Sequence, residues 1–156
     1  MGNNREMLDS VICKTGSKIA GMILESKKIK ASQLQKALGV LCNDGVYAYY
    51  VYVKSEKPLF DILIKELNEL MQYTDIKLKQ KQPDDQGQGS GQFPGIRAEK
   101  PRDDVYDYEA YFINLSKNLN DLLFFREILE ETLVYARYHL KAKEAEYETG
   151  EQNGES

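Results

Sequence analysis

Between Asn43 and Lys57 the chain puts four of its eleven tyrosines, Tyr47, Tyr49, Tyr50 and Tyr52, into six consecutive positions. Intrinsic preference assigns Val and Tyr to strand. Alternation is compatible with that, because Tyr47, Tyr49, Val51 and Val53 would share one face and Val46, Ala48, Tyr50 and Tyr52 the other. A lone strand, however, leaves its backbone N–H and C=O groups unpaired, and no second run in the chain reads as its partner. The segment is therefore expected to be a buried helix, apolar almost all round. Asn43 or Asp44 would cap it and Gly45 would lie in its first turn. Most of the tyrosines are expected in the core, with their hydroxyls reaching its boundary, and the end from Lys54 to Lys57 near solvent.

Helical periodicity runs through most of the rest. Leu8, Val11, Ile12, Thr15, Ile19, Met22 and Ile23 recur at helical spacing, so a first helix is expected from about Glu6 to Lys27. Gly16 and Gly21 weaken it or admit a close neighbour. Ser32 and Gln35 have capping-box spacing, followed by an apolar stripe of Leu34, Ala37, Leu38 and Leu41. Pro58 suits the start of a further helix whose core face is Phe60, Leu63, Leu67, Leu70 and Met71. Asp103 and Asp104 are candidate caps for a helix carrying Val105, Tyr108, Tyr111, Phe112 and Leu115. Asn118, Asn120 and Asp121 mark a break. The last helix, about 121–148, has Leu122, Phe125, Leu129, Leu133, Ala136 and Leu140 at spacings of three and four, widened by Ile128, Thr132 and Tyr135. A stripe that wide suits a bundle. From 82 to 103 the composition turns to Gln, Gly, Pro and Asp without periodicity, and a mobile loop is expected, with Phe93 or Ile96 as a short docking anchor. The tail from Thr149 is expected to fray. The expected fold is all-α: one domain over residues 1–156, a compact bundle of five or six helices with one long disordered loop.

At 156 residues the chain is long enough for a sizeable core. Its cysteines, Cys13 and Cys42, stand far apart without a signal peptide, which reads as two reduced, buried thiols in a cytoplasmic protein. No apolar run approaches a membrane span. The formal net charge of −4 hides an asymmetry: residues 1–82 carry thirteen Lys and Arg against nine Asp and Glu, while residues 99–156 carry seven against fourteen. An acidic total argues against a free-standing nucleic-acid binder. It is compatible with a subunit that shows one basic face inside an assembly, or with solvated helix faces throughout.

Catalytic motifs are scarce. His139 is the one histidine, and no serine or cysteine sits in a nucleophile elbow. Arg137 is too close to it, and Arg126 too far, for the Arg-(x4–6)-His pattern of the helical HEPN ribonucleases. Two lone cysteines and a histidine do not close a zinc site, and no Glu-x-x-His pair suggests a di-iron site. Glu127, Glu130 and Glu131 read as a solvated acidic face. Gly87, Gly89 and Gly91 lack the Lys-Ser/Thr of a phosphate loop. No catalytic residue, metal ligand or cofactor is expected.

Binding is what remains. Lys14 and Lys18 lie one turn apart on the polar side of the first helix, and Arg137 and Lys141 one turn apart on the last. Lys27, Lys28 and Lys30 close the first helix, and Lys54 and Lys57 close the tyrosine helix; cations at helix C-termini are common for dipole reasons alone. If Lys14, Lys18, Lys54, Lys57, Arg137 and Lys141 converge, they make a stripe for phosphate contacts, which hold backbone without reading sequence.

Three segments also resemble the small helical subunit of type III-B CRISPR effector complexes: the basic and Leu-rich helices from Lys18 to Val40, the aromatic helix opening at Asn43 to Gly45, and the last helix from Phe125 to Lys143. In that last helix the family's Arg, Glu, Leu, aromatic and basic positions read Arg126, Glu130 or Glu131, Leu133, Tyr138 and Lys141; Tyr138 stands where the family often has Trp. The resemblance implies a non-catalytic, cytoplasmic protein of antiviral defence. Copies of it would stack beside larger subunits of the effector complex and contact guide RNA and target RNA. It implies no small-molecule substrate and no membrane. Lys54, Arg126 and Lys141 fall within the resembling segments; Arg126 is expected to pair with Glu130 one turn on. The same residues are also compatible with a helical adaptor that binds protein partners only, and, more remotely, with an enzyme working through carboxylates such as Glu130 and Glu131.

Overall fold

The computed structural model describes residues 2–81 and 105–154, with side chains described over 7–81 and 105–146. The expected loop at 82–103, with Phe93, Ile96 and Asp103, lies outside the described residues, as does Asp104.

The tyrosine segment is a helix, as its lack of a strand partner predicts. It forms α3 (Val46–Lys54), and α2 (Ala31–Asp44) leads into it. Asn43 and Asp44 do not cap α3; they complete α2, and Gly45 alone joins the two helices at φ +102°. That is left-handed backbone, where a Cβ is strained and glycine is at ease. α3 is not buried all round. Val46, Tyr49, Tyr50 and Val53 face inward, while Tyr47 and Val51 are exposed.

The first helix, α1, spans Gly2–Glu25. It buries Ile12, Thr15, Ile19 and Ile23 as its periodicity demands. The start of α2 lies one residue before the expected cap at Ser32. The Gln33 side chain accepts the Lys30 N–H at 2.8 Å, and the lysine has no oxygen to return the bond.

α4 (Lys57–Leu63) begins around Pro58, but the helix expected to run on to Met71 breaks. Ile64 leaves helical geometry at φ −122°, a 3-10 turn covers Lys65–Leu67, and α5 is a single turn at Asn68–Met71. The Leu67 N–H reaches the Ile64 carbonyl, three residues back, instead of Leu63. The vacated Leu63 carbonyl accepts the Tyr49 hydroxyl at 2.7 Å.

α6 (Tyr108–Ser116) is capped by Asp107, whose carboxylate accepts the Ala110 N–H at 3.1 Å. Val105 lies before it and is exposed. Gln80 and Tyr106 form an isolated antiparallel bridge, flanked by the bonds Lys81 N–H to Val105 C=O (2.7 Å) and Asp107 N–H to Lys79 C=O (2.8 Å). No longer strand occurs among the described residues. α7 (Leu119–Gly154) runs on past 148, and no proline stands there to stop it.

One apolar cluster draws on every helix from α1 to α7. Its aromatic centre is Tyr50 stacked on Phe112 with centroids 4.6 Å apart, and Tyr111, Phe112 and Phe125 meeting edge to face at 5.4 to 6.0 Å. Such pairs favour offset or T-shaped geometry because ring faces are negative and edges positive. α1 and α7 form the longest contact and run in the same direction, with Gly16 against Thr132, Tyr135 and Ala136 and Gly21 against Lys143. The fold is an all-α bundle.

Candidate nucleic-acid interface

Burying Ile12, Ile19 and Ile23 turns the opposite face of α1 to solvent. Lys14 and Lys18 lie on that face, about 6 Å apart along the axis. With Ser17, Gly21, Met22 and Glu25 of α1 and Lys143 of α7 they line an open groove of about 470 Å³. The Lys143 ammonium lies 3.5 Å from the Ser17 carbonyl. Lys18 pairs with Glu66 at 2.8 Å; this hydrogen bond, and then the charges of Glu66 and Glu69, raise its pKa against a small opposing effect of burial.

The remaining sequence-predicted cations lie elsewhere. Lys54 is in the last turn of α3, 3.8 Å from Glu109 and 5.6 Å from the centre of the Tyr50 ring. Lys57 does not close the tyrosine helix; it opens α4, where the dipole disfavours a cation. Arg137 and Lys141 are exposed on α7. They turn about 100° and 140° from Ala136 around the helix, towards the side that meets α2 and away from the α1 groove. Lys14, Lys57, Arg137 and Lys141 form no ion pair among the described residues. The six residues thus fall in three places and do not make one stripe: Lys14 and Lys18 are brought together, Lys54 and Lys57 flank the α3–α4 turn, and Arg137 and Lys141 share an outer face of α7.

Lys143 is the cation that sequence reasoning missed. The signal was present: position 143 continues the spacing Leu133, Ala136, Leu140, so a lysine there points at a neighbouring helix.

Arg126 is structural, but its partner is not Glu130. Its guanidinium donates to the Cys42 carbonyl at 2.9 Å, tying α7 to the end of α2. Cys13 and Cys42 are both exposed rather than buried. Partial desolvation pushes the Cys42 thiol up, and Glu130 adds to this by charge and by hydrogen bond while Arg126 opposes.

Among the tyrosines, Tyr49 and Tyr50 are core residues and Tyr47 is exposed. The Tyr49 hydroxyl does not reach the boundary, because Leu63 takes it inside. Tyr138, at 66% exposure, is a more open ring than any in α3. It shares a shallow hollow with Glu127, Glu130, Glu131, Val134 and Tyr135, the acidic face expected there. His139 is half-buried on α7. Among the described residues no cluster of His, Cys, Asp and Glu could hold a metal ion, and no helix is long and apolar enough to cross a membrane. No protein-family model, curated protein or solved structure matches the chain.

Proposed function

We propose that this chain is a non-catalytic small subunit of a type III-B CRISPR ribonucleoprotein, which stacks in several copies along the complex and contacts guide and target RNA in the cytoplasm. The observation that carries the RNA-contacting part is the placement of Lys14 and Lys18 side by side in an open groove on α1. Cations so placed suit contacts to a phosphate backbone, which position a nucleic acid without reading its bases. The assembly is drawn from the resemblance over α1 to α3 and α7. Lys57, Arg137 and Lys141, exposed and without an ion pair among the described residues, are further points for phosphate or for acidic surfaces of neighbouring subunits.

A second reading, an adaptor that binds proteins only, is favoured by Tyr47, Val51 and Ile113. These exposed apolar side chains lie on α3 and α6, which pack together through Tyr50 and Phe112. Affinity purification of the chain from its native cells, with sequencing of any bound RNA, separates the two. Short RNAs with repeat-derived ends, accompanied by several larger proteins, are expected. A partner set without RNA would refute the effector-subunit reading in favour of the adaptor.

A further inference from the structure

We propose that Lys143 is the third cation of a phosphate site in the α1–α7 groove, where it takes a backbone phosphate of a nucleic acid together with Lys14 and Lys18. This rests on the RNA-contacting reading and adds a residue from the acidic half of the chain.

Three observations lead to it. Lys143 continues the inward stripe of α7, so its stem is directed at α1 and its ammonium emerges in the groove beside Lys14 and Lys18. Gly21 makes room for it: a Cβ there would stand 3.3 Å from Lys143 Nζ. The ammonium touches the Ser17 carbonyl at 3.5 Å and forms no ion pair among the described residues. An ammonium has three donors, so one weak bond to a carbonyl leaves capacity for an anion. Its position is set by packing and it is not neutralised there, whereas Lys18 must share itself with Glu66. Lys18 is the exposed member of that pair, while the Glu66 carboxylate is largely covered. The one carboxylate lining the groove is Glu25, a turn beyond Gly21. The remaining three charged side chains are lysines, so the groove carries a positive field that attracts phosphate.

The test is fluorescence anisotropy of the full chain with a labelled single-stranded RNA, and with DNA of the same sequence, over a range of salt. Lys143→Ala is expected to weaken RNA binding roughly threefold to tenfold at low salt and to reduce the salt slope by about 0.7, one single-strand phosphate contact. Lys143→Arg should retain most of the affinity. An equal loss on DNA supports a phosphate contact indifferent to the sugar. Circular dichroism of each variant confirms that the bundle is intact. Unchanged affinity and slope in Lys143→Ala, with wild type binding in a salt-dependent way, overturn the role of Lys143 alone. An absence of salt-dependent binding in wild type overturns the RNA-contacting reading and this site with it.

Discussion

The Tyr49 hydroxyl donates to the Leu63 carbonyl at 2.7 Å, inside the core, at the point where the helix opened by Pro58 ends. Fourteen positions apart in the chain, the two residues settle both the depth of the tyrosine helix and the break before the 3-10 turn. Tyr49→Phe keeps the ring and strands the carbonyl. Leaving a buried acceptor without its donor costs about 1–3 kcal/mol. Urea denaturation should show that loss with the m-value unchanged; a variant as stable as wild type would mean that the bond is not what seats α3.

Gly16 and Gly39 are expected to respond to alanine with opposite signs. At Gly16 a Cβ would lie 3.0 Å from Tyr135 Cβ, 3.1 Å from the Thr132 carbonyl oxygen and 3.2 Å from the Ala136 nitrogen. Two of those three atoms are backbone, so α1 and α7 must separate. Overpacking of this kind costs about 1–3 kcal/mol, and the better helix propensity of alanine returns up to about 1. Gly16→Ala should therefore lose up to about 2 kcal/mol. Gly39 has nothing within 4 Å of its missing Cβ and lies inside α2. Gly39→Ala should gain up to about 1 kcal/mol. Thermal melts of the two variants check both signs.

How much of this the sequence discloses depends on the range of the interaction. The helical stripes of α1, α2 and α7 are local patterns, and Ile12, Leu34, Leu41, Phe125 and Leu133 are buried where spacing places them. The helicity of α3 follows from the want of a strand partner. The break at Ile64 does not, because it is coupled to a hydroxyl from another helix. Asp107, rather than Asp103 or Asp104, caps α6, since the bridge of Gln80 to Tyr106 keeps Tyr106 out of the helix. Cys13 looks like a core residue by type, yet its place on α1 turns it outward. In the candidate site the i, i+4 pair Lys14 and Lys18 is legible from spacing alone. That Arg137 and Lys141 turn away from it, and that Lys143 joins it, depends on how α7 is rotated against α1, which only packing decides.

Stability should fall on the alkaline side. Burial raises the pKa of Tyr111 to about 12, against the opposing effect of its hydrogen bond with Thr74, and pushes Tyr49 up further still. The Glu66 hydrogen bond raises Lys18. In each case the folded chain holds its proton more tightly than the unfolded chain. Stability is therefore fully present below about pH 10 and is lost as pH rises through the raised values. Urea midpoints should be flat from pH 8 to 9 and decline steadily from pH 10 to 12. In Tyr111→Phe, which has no phenol to ionise there, the decline should be shallower even though its stability at pH 8 is lower. A decline of equal steepness in the variant would contradict the assignment to Tyr111.

The proposed role of the α1 groove is to hold nucleic-acid phosphate. Its most direct test is the dependence of RNA affinity on salt, measured for wild type and for Lys14→Glu/Lys18→Glu. Log affinity should fall linearly with log salt in wild type. In the reversed pair the slope should be flatter by about 1.4, the share of two single-strand phosphate contacts. Equal slopes in the two proteins, or binding in wild type that salt does not weaken, would contradict it.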